Sequence, residues 1–371
     1  MRIVVKLGTK LLTKDSGTID KRNIRRIVRE IGGLLDSGHE VMIITSGAIG
    51  AGCGKMKYNP RRLSLIEKQA LASIGQTDLM DIYKKAFGEQ GRAVAQLLIT
   101  ANDMTERQSY LNIRNTLNTL LKMKVVPVIN ENDSVAVDEI KFGDNDHLAS
   151  IITIKVDADK LLILTDVDGL LDNDGKLIKK VDKVTSGIKQ LAGGAGSDVS
   201  VGGMITKVEA AQSVMRLCSA DTYLINGRKT GLLAQVIKGD NPGTLFTGKR
   251  TCIPHRKRWI NLSSSLNSGK SIVLDAGAVS ALVERNSSIL PVGVKKVMGR
   301  FNAGASVSCI DNKGREIARG LVNYCSADIN KIMGKRSSEI KKILGVKDYD
   351  EVIHKDNLIL LNRLSREGKN E

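Results

Sequence analysis

The chain has 371 residues, enough for two domains, and its 42% apolar and 26% charged residues are typical of a globular protein. No apolar run approaches the ~20 residues that a membrane-spanning helix needs, and Lys6 interrupts the first apolar run, which excludes a signal peptide. The five cysteines are scattered without a CxxC pair, which argues against a disulfide framework or a zinc site and favours a cytoplasmic protein.

The formal net charge of +17 invites a nucleic-acid interpretation. The excess is spread along the chain, however. Residues 271–371 hold 17 Lys and Arg against 12 Asp and Glu, a net of +5, and the remaining +12 belongs to residues 1–270. A generally basic surface is therefore at least as good an explanation as a polyanionic partner.

Strand and helix patterns alternate through the first 248 residues. Strands are predicted at residues 2–8, 41–45, 93–99, 125–129, 160–165, 223–226 and 244–246. Helices are predicted after the cap Asp20, at 61–87 with a break near Gly75, from Thr105, after Asp146 and at 207–218, with a hairpin at 172–183. Such alternation predicts an α/β fold with a mostly parallel sheet between helices.

Polar and glycine-rich clusters follow four of these strands, at Gly8, 46–54, 130–133 and 165–169. Since the carboxyl ends of parallel strands meet at one edge, these clusters predict a single binding face. The glycine-rich stretch 46–54 suits an anion, although it matches neither GxxxxGK[ST] nor GxGxxG.

Residues 125–150 carry the densest polar signal. The apolar run 125–129 ends in Asn130-Glu131-Asn132-Asp133, and the connection closes on Gly143-Asp144-Asn145-Asp146 before an apolar helix. Asn and Asp are also ordinary turn and cap residues. Two such clusters around one connection favour a binding site.

Phosphoryl transfer suits these residue types best. It requires phosphates held by backbone N–H groups, cations on the moving charge and an aligned acceptor. Lys6 lies inside the first strand, and Lys207 follows a glycine-rich stretch at 193–203 that we expect to be mobile. Lys6 is either an edge residue or a charge aimed at a ligand. No histidine is placed for acid–base work, and the GxSxG and hydride-transfer fingerprints are missing.

The last hundred residues follow a different pattern. Residues 249–270 form a basic, serine-rich linker, and the short strands after it alternate with Gly and Asn turns. We therefore predict a first domain at 1–248 and a small β-barrel-like domain at 271–366.

Six motifs appear in a fixed order: Val4–Gly8, Thr45–Ile49, Asn130–Asp133, Phe142–Asp146, Leu164–Leu170 and Gly202–Lys207. By these motifs the chain resembles the glutamate 5-kinase family of the amino-acid kinase superfamily over essentially its whole length. The C-terminal domain resembles a PUA domain, an RNA-binding type in other proteins. Two positions depart from the family pattern, Val201 in place of Thr and Leu171 in place of Tyr.

The resemblance implies an amino-acid kinase fold and transfer of the ATP γ-phosphoryl group, with Mg²⁺, to the side-chain carboxylate of L-glutamate, the first step of proline synthesis. On the matching positions, Lys6 and Lys207 would neutralise the phosphoryl charge and Asp146 would orient them. The glutamate site would comprise Ser46, Asp133 and Asn145. The ATP site would comprise Lys6, Gly8, Thr165, Asp166, Gly202, Gly203, Met204, Ile205, Thr206 and Lys207.

The resemblance also implies partners. It implies feedback inhibition by proline and assembly into a homo-oligomer. It also implies transfer of the product to a glutamyl-phosphate reductase and RNA binding by the PUA-like domain. It assigns no direct metal ligand. Two alternatives stay open: an RNA-binding protein, which the basic stretch 256–258 favours and the scarcity of aromatics opposes, and a kinase for aspartate, N-acetylglutamate or a nucleotide. The motif at 130–133 and the PUA-like domain argue against the second.

Overall fold

The structure is a computed structural model that describes residues 1–14, 18–59, 63–135, 145–193, 203–248, 258–260 and 269–361. The chain divides into two compact units. The first comprises Met1–Ala101 and Leu111–Cys252, and the second comprises Asn102–Tyr110 and Ile253–Glu371. The sequence-based bounds of 1–248, 249–270 and 271–366 stay a prediction, and they differ from this division chiefly in where they assign residues 102–110.

The strands of the first unit form one sheet. Their bounds are β1 Arg2–Leu7, β2 Glu40–Ile44, β3 Val94–Ile99, β4 Val126–Glu131, β5 Lys160–Thr165, β6 Lys180–Val181, β7 Asp221–Asn226 and β8 Thr244–Phe246. Among the described residues the strand order is β3-β4-β2-β1-β5-β7-β8-β6. Neighbours from β3 to β7 all run parallel, and only the pairing of β7 with β8 is antiparallel. The predicted α/β fold is confirmed.

Helices cover both faces of this sheet. Their bounds are α1 Thr9–Leu12, α2 Lys21–Asp36, α3 Ala48–Met56, α4 Leu65–Gly88, α5 Ala101–Thr105, α6 Arg107–Lys122, α7 Asn145–Lys155, α8 Ser186–Gly193, α9 Met204–Leu217 and α10 Leu232–Lys238. Five of them, α1, α3, α5, α8 and α10, have no counterpart in the sequence-based prediction.

Strand β1 lies at the centre and is buried on both faces. Its odd-numbered residues Ile3, Val5 and Leu7 enter the core that α2, α4 and α10 complete. Since side chains alternate along a strand, Lys6 points to the opposite face, where α7 packs. A charged residue thus occupies the middle of the sheet without disturbing the main aliphatic core.

Two glycine-containing parts of the first unit are helical. Most of the stretch 46–54 is helix, because α3 begins at Ala48, directly after the left-handed Gly47, and anion binding there stays a prediction. The predicted break near Gly75 is wrong, since α4 runs unbroken through that residue from a capping box at Ser64.

These glycines serve the packing of α3 against α4. A Cβ atom on Gly75 would overlap the carbonyl oxygen of Ala48 and the backbone nitrogen of Gly52, and one on Gly52 would overlap the carbonyl of Leu71. The two helix backbones therefore approach more closely than any side chain allows. The glycine inside α4 is required by its neighbour helix, not by a turn.

The second unit has its own sheet and core. Its strands are β9 Ser271–Leu274, β10 Val294–Met298, β11 Ser306–Ile310, β12 Glu316–Leu321 and β13 Leu358–Leu360, in the order β10-β9-β11-β12-β13. Its helices are α11 Ala276–Arg285, α12 Ser326–Ile332 and α13 Ile340–Leu344. The predicted change to short strands after residue 270 agrees with this sheet, and a separate aliphatic core fills the unit.

An aromatic contact within the second unit joins distant parts of the chain. The ring of Trp259 lies 6.2 Å from that of Tyr110, and the Arg107 guanidinium lies 5.9 Å from its centroid. The neighbouring Ile260 carbonyl accepts a hydrogen bond from Ser306 of β11. Arg107 and Tyr110 thus pack against Trp259 within the second unit, although they lie far from it in the sequence.

Within the described residues, no helix combines the length and apolar character required to cross a membrane.

The glycine contact makes a testable prediction. Gly75→Ala should destabilise the first unit by about 1–3 kcal/mol, because the added methyl group meets backbone atoms that cannot turn aside. Gly88→Ala, at the end of the same helix with open space around it, is the matched control and should cost nothing. Urea unfolding followed by circular dichroism measures both. Equal stability of the two variants would contradict the packing role of Gly75.

Candidate active site

A buried carboxylate shared by two lysines forms the centre of the site. Asp146 is 0% exposed, Lys6 is 2% and Lys207 is 7%. The Lys6 Nζ atom lies 2.5 Å from Asp146 Oδ1, and the Lys207 Nζ atom lies 3.1 Å from Asp146 Oδ2. Two ammonium groups meet one carboxylate, so the trio is formally cationic. A buried site of this charge suits an anionic ligand.

The fold brings these groups together from three elements. Lys6 leaves β1 on the face toward α7, and Asp146 stands in the first turn of α7, where the helix dipole favours a negative charge. Lys207 lies in the first turn of α9, since that helix begins at Met204 and not at the predicted Lys207. The Thr206 hydroxyl lies 2.8 Å from Asp146 Oδ2 and 2.8 Å from the Gly203 carbonyl oxygen, which ties α9 to α7.

The first turn of α9 offers a second feature that suits anions. Gly203 is its N-cap residue and makes no side-chain capping hydrogen bond, and the backbone N–H groups of residues 204–206 lie at the start of the helix. Met204, Ile205 and Thr206 therefore lie at the positive end of a helix beside Lys207. Gly202 and Val201 lie outside the described residues, as does most of the stretch 193–203.

A chain of amides adjoins the cationic trio. The Asn145 Nδ2 atom donates to the Ser46 Oγ and to the Asn130 Oδ1, both at 3.0 Å. The Asn130 Nδ2 atom donates in turn to the Gln76 Oε1 at 2.8 Å. Two of the predicted glutamate residues, Ser46 and Asn145, thus touch each other.

Asp133 lies half-buried in the turn that follows β4. Residues 136–144, which include the predicted Gly143 and Asp144, lie outside the described residues. Gln76 was missed by the sequence analysis, because it stands alone on a helix and next to a glycine that was interpreted as a break.

The carboxyl ends of β5 and β7 carry a separate polar group. The Thr165 hydroxyl lies 3.1 Å from Asp166 Oδ1, and Lys10 forms an ion pair with Asp166 Oδ2 at 3.2 Å. Burial raises the pKa of Asp166, but hydrogen bonds from Lys10, the Asp166 backbone and Thr165, together with the Lys10 charge, outweigh burial and lower the pKa below its usual value. The Gly8 N–H donates to the Leu164 carbonyl, which joins β1 to β5 beside this group.

Asp168 forms a further ion pair on this side. Its Oδ1 lies 2.7 Å from the Lys229 Nζ and accepts a hydrogen bond from Asn226 Nδ2 at 2.9 Å. These hydrogen bonds lower the pKa of Asp168. Lys10, Asn226 and Lys229 belong to none of the six motifs, so no sequence pattern selects them.

Burial lowers the pKa of His147, the residue after Asp146 in the sequence, which keeps its imidazole neutral at neutral pH. Within the described residues, no three His, Cys, Asp or Glu side chains lie together as a metal cluster would require. The arrangement can hold an anion at the lysines and an amino or carboxylate group at the amides.

The departure at Leu171 falls on the surface. Leu171 is exposed and pairs with Leu177 in the short hairpin whose turn contains the left-handed Gly175. The predicted hairpin is confirmed in this part.

Comparison with known proteins agrees with the geometry. The profile of the amino acid kinase family matches residues 1–226, and that of the PUA domain matches residues 270–344. A solved carbamate kinase from Giardia lamblia bound to AMP-PNP aligns with a TM-score of 0.50 at 16% identity, over 67% of this chain and 98% of that one. At this identity the likeness shows the fold alone.

Relatives with far higher identity align over nearly the whole chain. The glutamate 5-kinase of Caldanaerobacter subterraneus subsp. tengcongensis is 45% identical over 99% of this chain and 100% of its own length. That of Thermoanaerobacter sp. is 44% identical over 99% and 100%, and that of Moorella thermoacetica is 43% identical over 97% and 96%. The chain therefore belongs to the amino acid kinase family and, within it, to the glutamate 5-kinase family.

Proposed function

We infer that the chain transfers the γ-phosphoryl group of ATP to the side-chain carboxylate of L-glutamate, yielding γ-glutamyl phosphate and ADP, the first step of proline biosynthesis. Full-length relatives that carry the name glutamate 5-kinase support this activity. The observation that carries it is the buried Lys6–Asp146–Lys207 trio beside the amides of Asn130 and Asn145.

The chemistry balances without proton transfer. A γ-carboxylate oxygen forms a bond to the γ-phosphorus while the bond from that phosphorus to the β–γ bridging oxygen breaks, and its electron pair leaves with ADP. The acceptor is already an anion at neutral pH, so no general base is needed. This agrees with a described site that has two lysines but no histidine positioned to accept a proton.

The two lysines would act on the moving charge. We place the γ-phosphoryl oxygens at Lys6 and Lys207, whose ammonium groups Asp146 holds in position from the opposite side. A preorganised donor of this kind contributes roughly 3–4 kcal/mol of barrier reduction. The N–H groups at the start of α9 would hold phosphate oxygens next to Lys207.

The remaining predicted residues divide between the two substrates. Ser46 and Asn145 would hydrogen-bond glutamate, and the Asp133 carboxylate would meet its ammonium group. Thr165, Asp166, Gly8 and the loop with Gly202 and Gly203 would hold ATP. These roles rest on the motif positions and on the proximity of Ser46 to Asn145.

Membership of an ATP-using kinase family implies a divalent metal, and we propose Mg²⁺. When bound, Mg²⁺ would neutralise charge on the β- and γ-phosphates. Both oxygens of Asp146 face ammonium groups, and the described residues hold no cluster of metal-ligating side chains. We therefore assign no ligand among them, since Mg²⁺ is commonly held mainly by substrate phosphates and water.

We extend the family's further properties to this chain as proposals. They are inhibition by proline at the glutamate site, assembly into a homo-oligomer, and transfer of the labile acyl phosphate to a reductase. A cytoplasmic location suits the free thiols of Cys53, Cys218, Cys309 and Cys325.

RNA binding is a second function that we propose, for the second unit. Its support is the PUA profile and a set of exposed basic side chains: Lys295, Lys296, Arg300, Lys335, Arg336, Lys341 and Lys342. Filter binding with structured RNA should show sub-micromolar affinity that falls steeply with salt. Binding that is weak and insensitive to salt would contradict this function.

The kinase activity is tested with three acceptors. ADP release is measured with L-glutamate, L-aspartate and N-acetyl-L-glutamate, in the presence of hydroxylamine, which converts an acyl phosphate to a hydroxamate. We expect ADP and hydroxamate in equal amounts with L-glutamate and background with the other two. Preferred turnover of either alternative, or ADP without hydroxamate, would contradict the assignment.

Lys207→Ala tests the role of the lysines. The variant should lose at least ~100-fold in kcat while the glutamate KM stays near normal, because the lost interaction forms mainly in the transition state. Asp146 keeps Lys6 as its partner, so no unpaired charge is created by this change. Lys238→Ala, on the exposed end of α10, is the control and should be unchanged. A wild-type kcat in Lys207→Ala would refute the mechanism.

A further inference from the structure

The amide chain beside the cationic trio ends at Gln76, a residue outside every motif of the sequence. Gln76 stands on α4 directly after Gly75, whose contact with α3 brings this part of α4 toward the site. The side chain is only 8% exposed, and its Oε1 is held by the Asn130 Nδ2 at 2.8 Å. In a polar side chain buried this far, the remaining hydrogen-bonding group, Nε2, is expected to have a partner.

The backbone fixes the orientation of every amide in this chain. The Glu131 N–H can only donate, and it lies 3.0 Å from the Asn130 side-chain oxygen, which is therefore Oδ1. Asn130 then donates a hydrogen bond from Nδ2 to Gln76, so the accepting atom of Gln76 is Oε1. The Gln76 Nε2 group consequently points away from Asn130.

The same reasoning fixes Asn145. Its Nδ2 faces the Asn130 Oδ1 and the Ser46 Oγ, each at 3.0 Å, so its Oδ1 is turned away from both. Within the part of the chain that the structure describes, Gln76 Nε2 and Asn145 Oδ1 are buried and have no hydrogen-bond partner. Unpaired buried amides cost stability, so these two atoms are expected to find partners in a ligand.

The two unpaired atoms differ in chemistry. Gln76 Nε2 only donates and suits a carboxylate oxygen, whereas Asn145 Oδ1 only accepts and suits an ammonium group. A carboxylate and an ammonium on one small molecule describe an α-amino acid. The order along the site runs from the lysines to Asp146, Asn145, Asn130 and finally Gln76. Gln76 therefore ends the hydrogen-bonded series that begins at the lysines.

We propose that Gln76 is a specificity-determining residue that donates a hydrogen bond from Nε2 to the α-carboxylate of the acceptor amino acid. This rests on the proposed kinase function, in which the γ-carboxylate must reach the lysines. An amino acid that satisfies both ends needs the length of glutamate, and aspartate is one methylene too short. Asn130 positions Gln76, and the Glu131 N–H positions Asn130.

Two substitutions test this role. Gln76→Met keeps the length and volume of the side chain but removes the donor, and should raise the glutamate KM at least ~10-fold with kcat and the ATP KM within about twofold of wild type. Gln76→Glu keeps an acceptor for Asn130 and places a second carboxylate opposite the substrate carboxylate. It should raise the glutamate KM further, at least ~100-fold. Gln235→Glu, exposed on α10, controls for the added charge.

A substrate analogue separates recognition from a structural role. 4-Aminobutyrate has the γ-carboxylate and the ammonium but lacks the α-carboxylate. Gln76→Met should lower kcat/KM for L-glutamate and leave kcat/KM for 4-aminobutyrate near the wild-type value. A general disturbance of the site would instead lower kcat/KM equally for both substrates. Thermal melting and the ATP KM report whether each variant is folded.

The outcomes are separable. If the wild-type chain forms no hydroxamate with L-glutamate, the kinase function itself fails. The role of Gln76 is refuted if the wild type is active and the folded variants Gln76→Met and Gln76→Glu both keep a normal glutamate KM. It is also refuted if kcat/KM in these variants falls equally for L-glutamate and 4-aminobutyrate. A selective loss for L-glutamate alone supports it.

Discussion

The structure depends first on one buried carboxylate. Asp146 is inaccessible to solvent and neutralises charge from Lys6 on β1 and Lys207 on α9 at the same time. Removing one partner of a buried ion pair commonly costs 3–5 kcal/mol, since a charge is left without compensation. Loss of Asp146 would leave two such charges. A sheet strand and two helices are therefore held in register by a group that also organises the chemistry.

A second constraint is steric. Gly52 and Gly75 let α3 and α4 pack backbone to backbone, and this contact decides where the following residue, Gln76, can reach. The amide chain from Gln76 to Asn145 then meets the ion-pair centre through a single peptide bond, between Asn145 and Asp146. The amide chain and the ion-pair centre thus share the first turn of α7. A shift of that turn would disturb both groups together.

The sequence predicts the parallel sheet and selects both lysines of the buried trio, because strand periodicity and motif spacing are local properties. It does not predict the role of Gly75 or Gln76. A glycine inside a helix pattern favours a break unless the neighbouring helix is known, and Gln76 meets Asn130 across 54 positions of chain. Lys10 and Lys229 are not predicted for the same reason, since their ion pairs with Asp166 and Asp168 join residues that are distant in the sequence.

The contact of Trp259 with Tyr110 and Arg107 bears on how the chain is made. Residues 102–110 belong to the second unit, although they are synthesised about 150 residues before Trp259. Domains usually fold as they leave the ribosome, from the amino terminus onward. Here a segment in the middle of the kinase sequence has to wait for packing partners that appear much later. The second unit can therefore be completed only after the later residues that pack against this early segment have been synthesised.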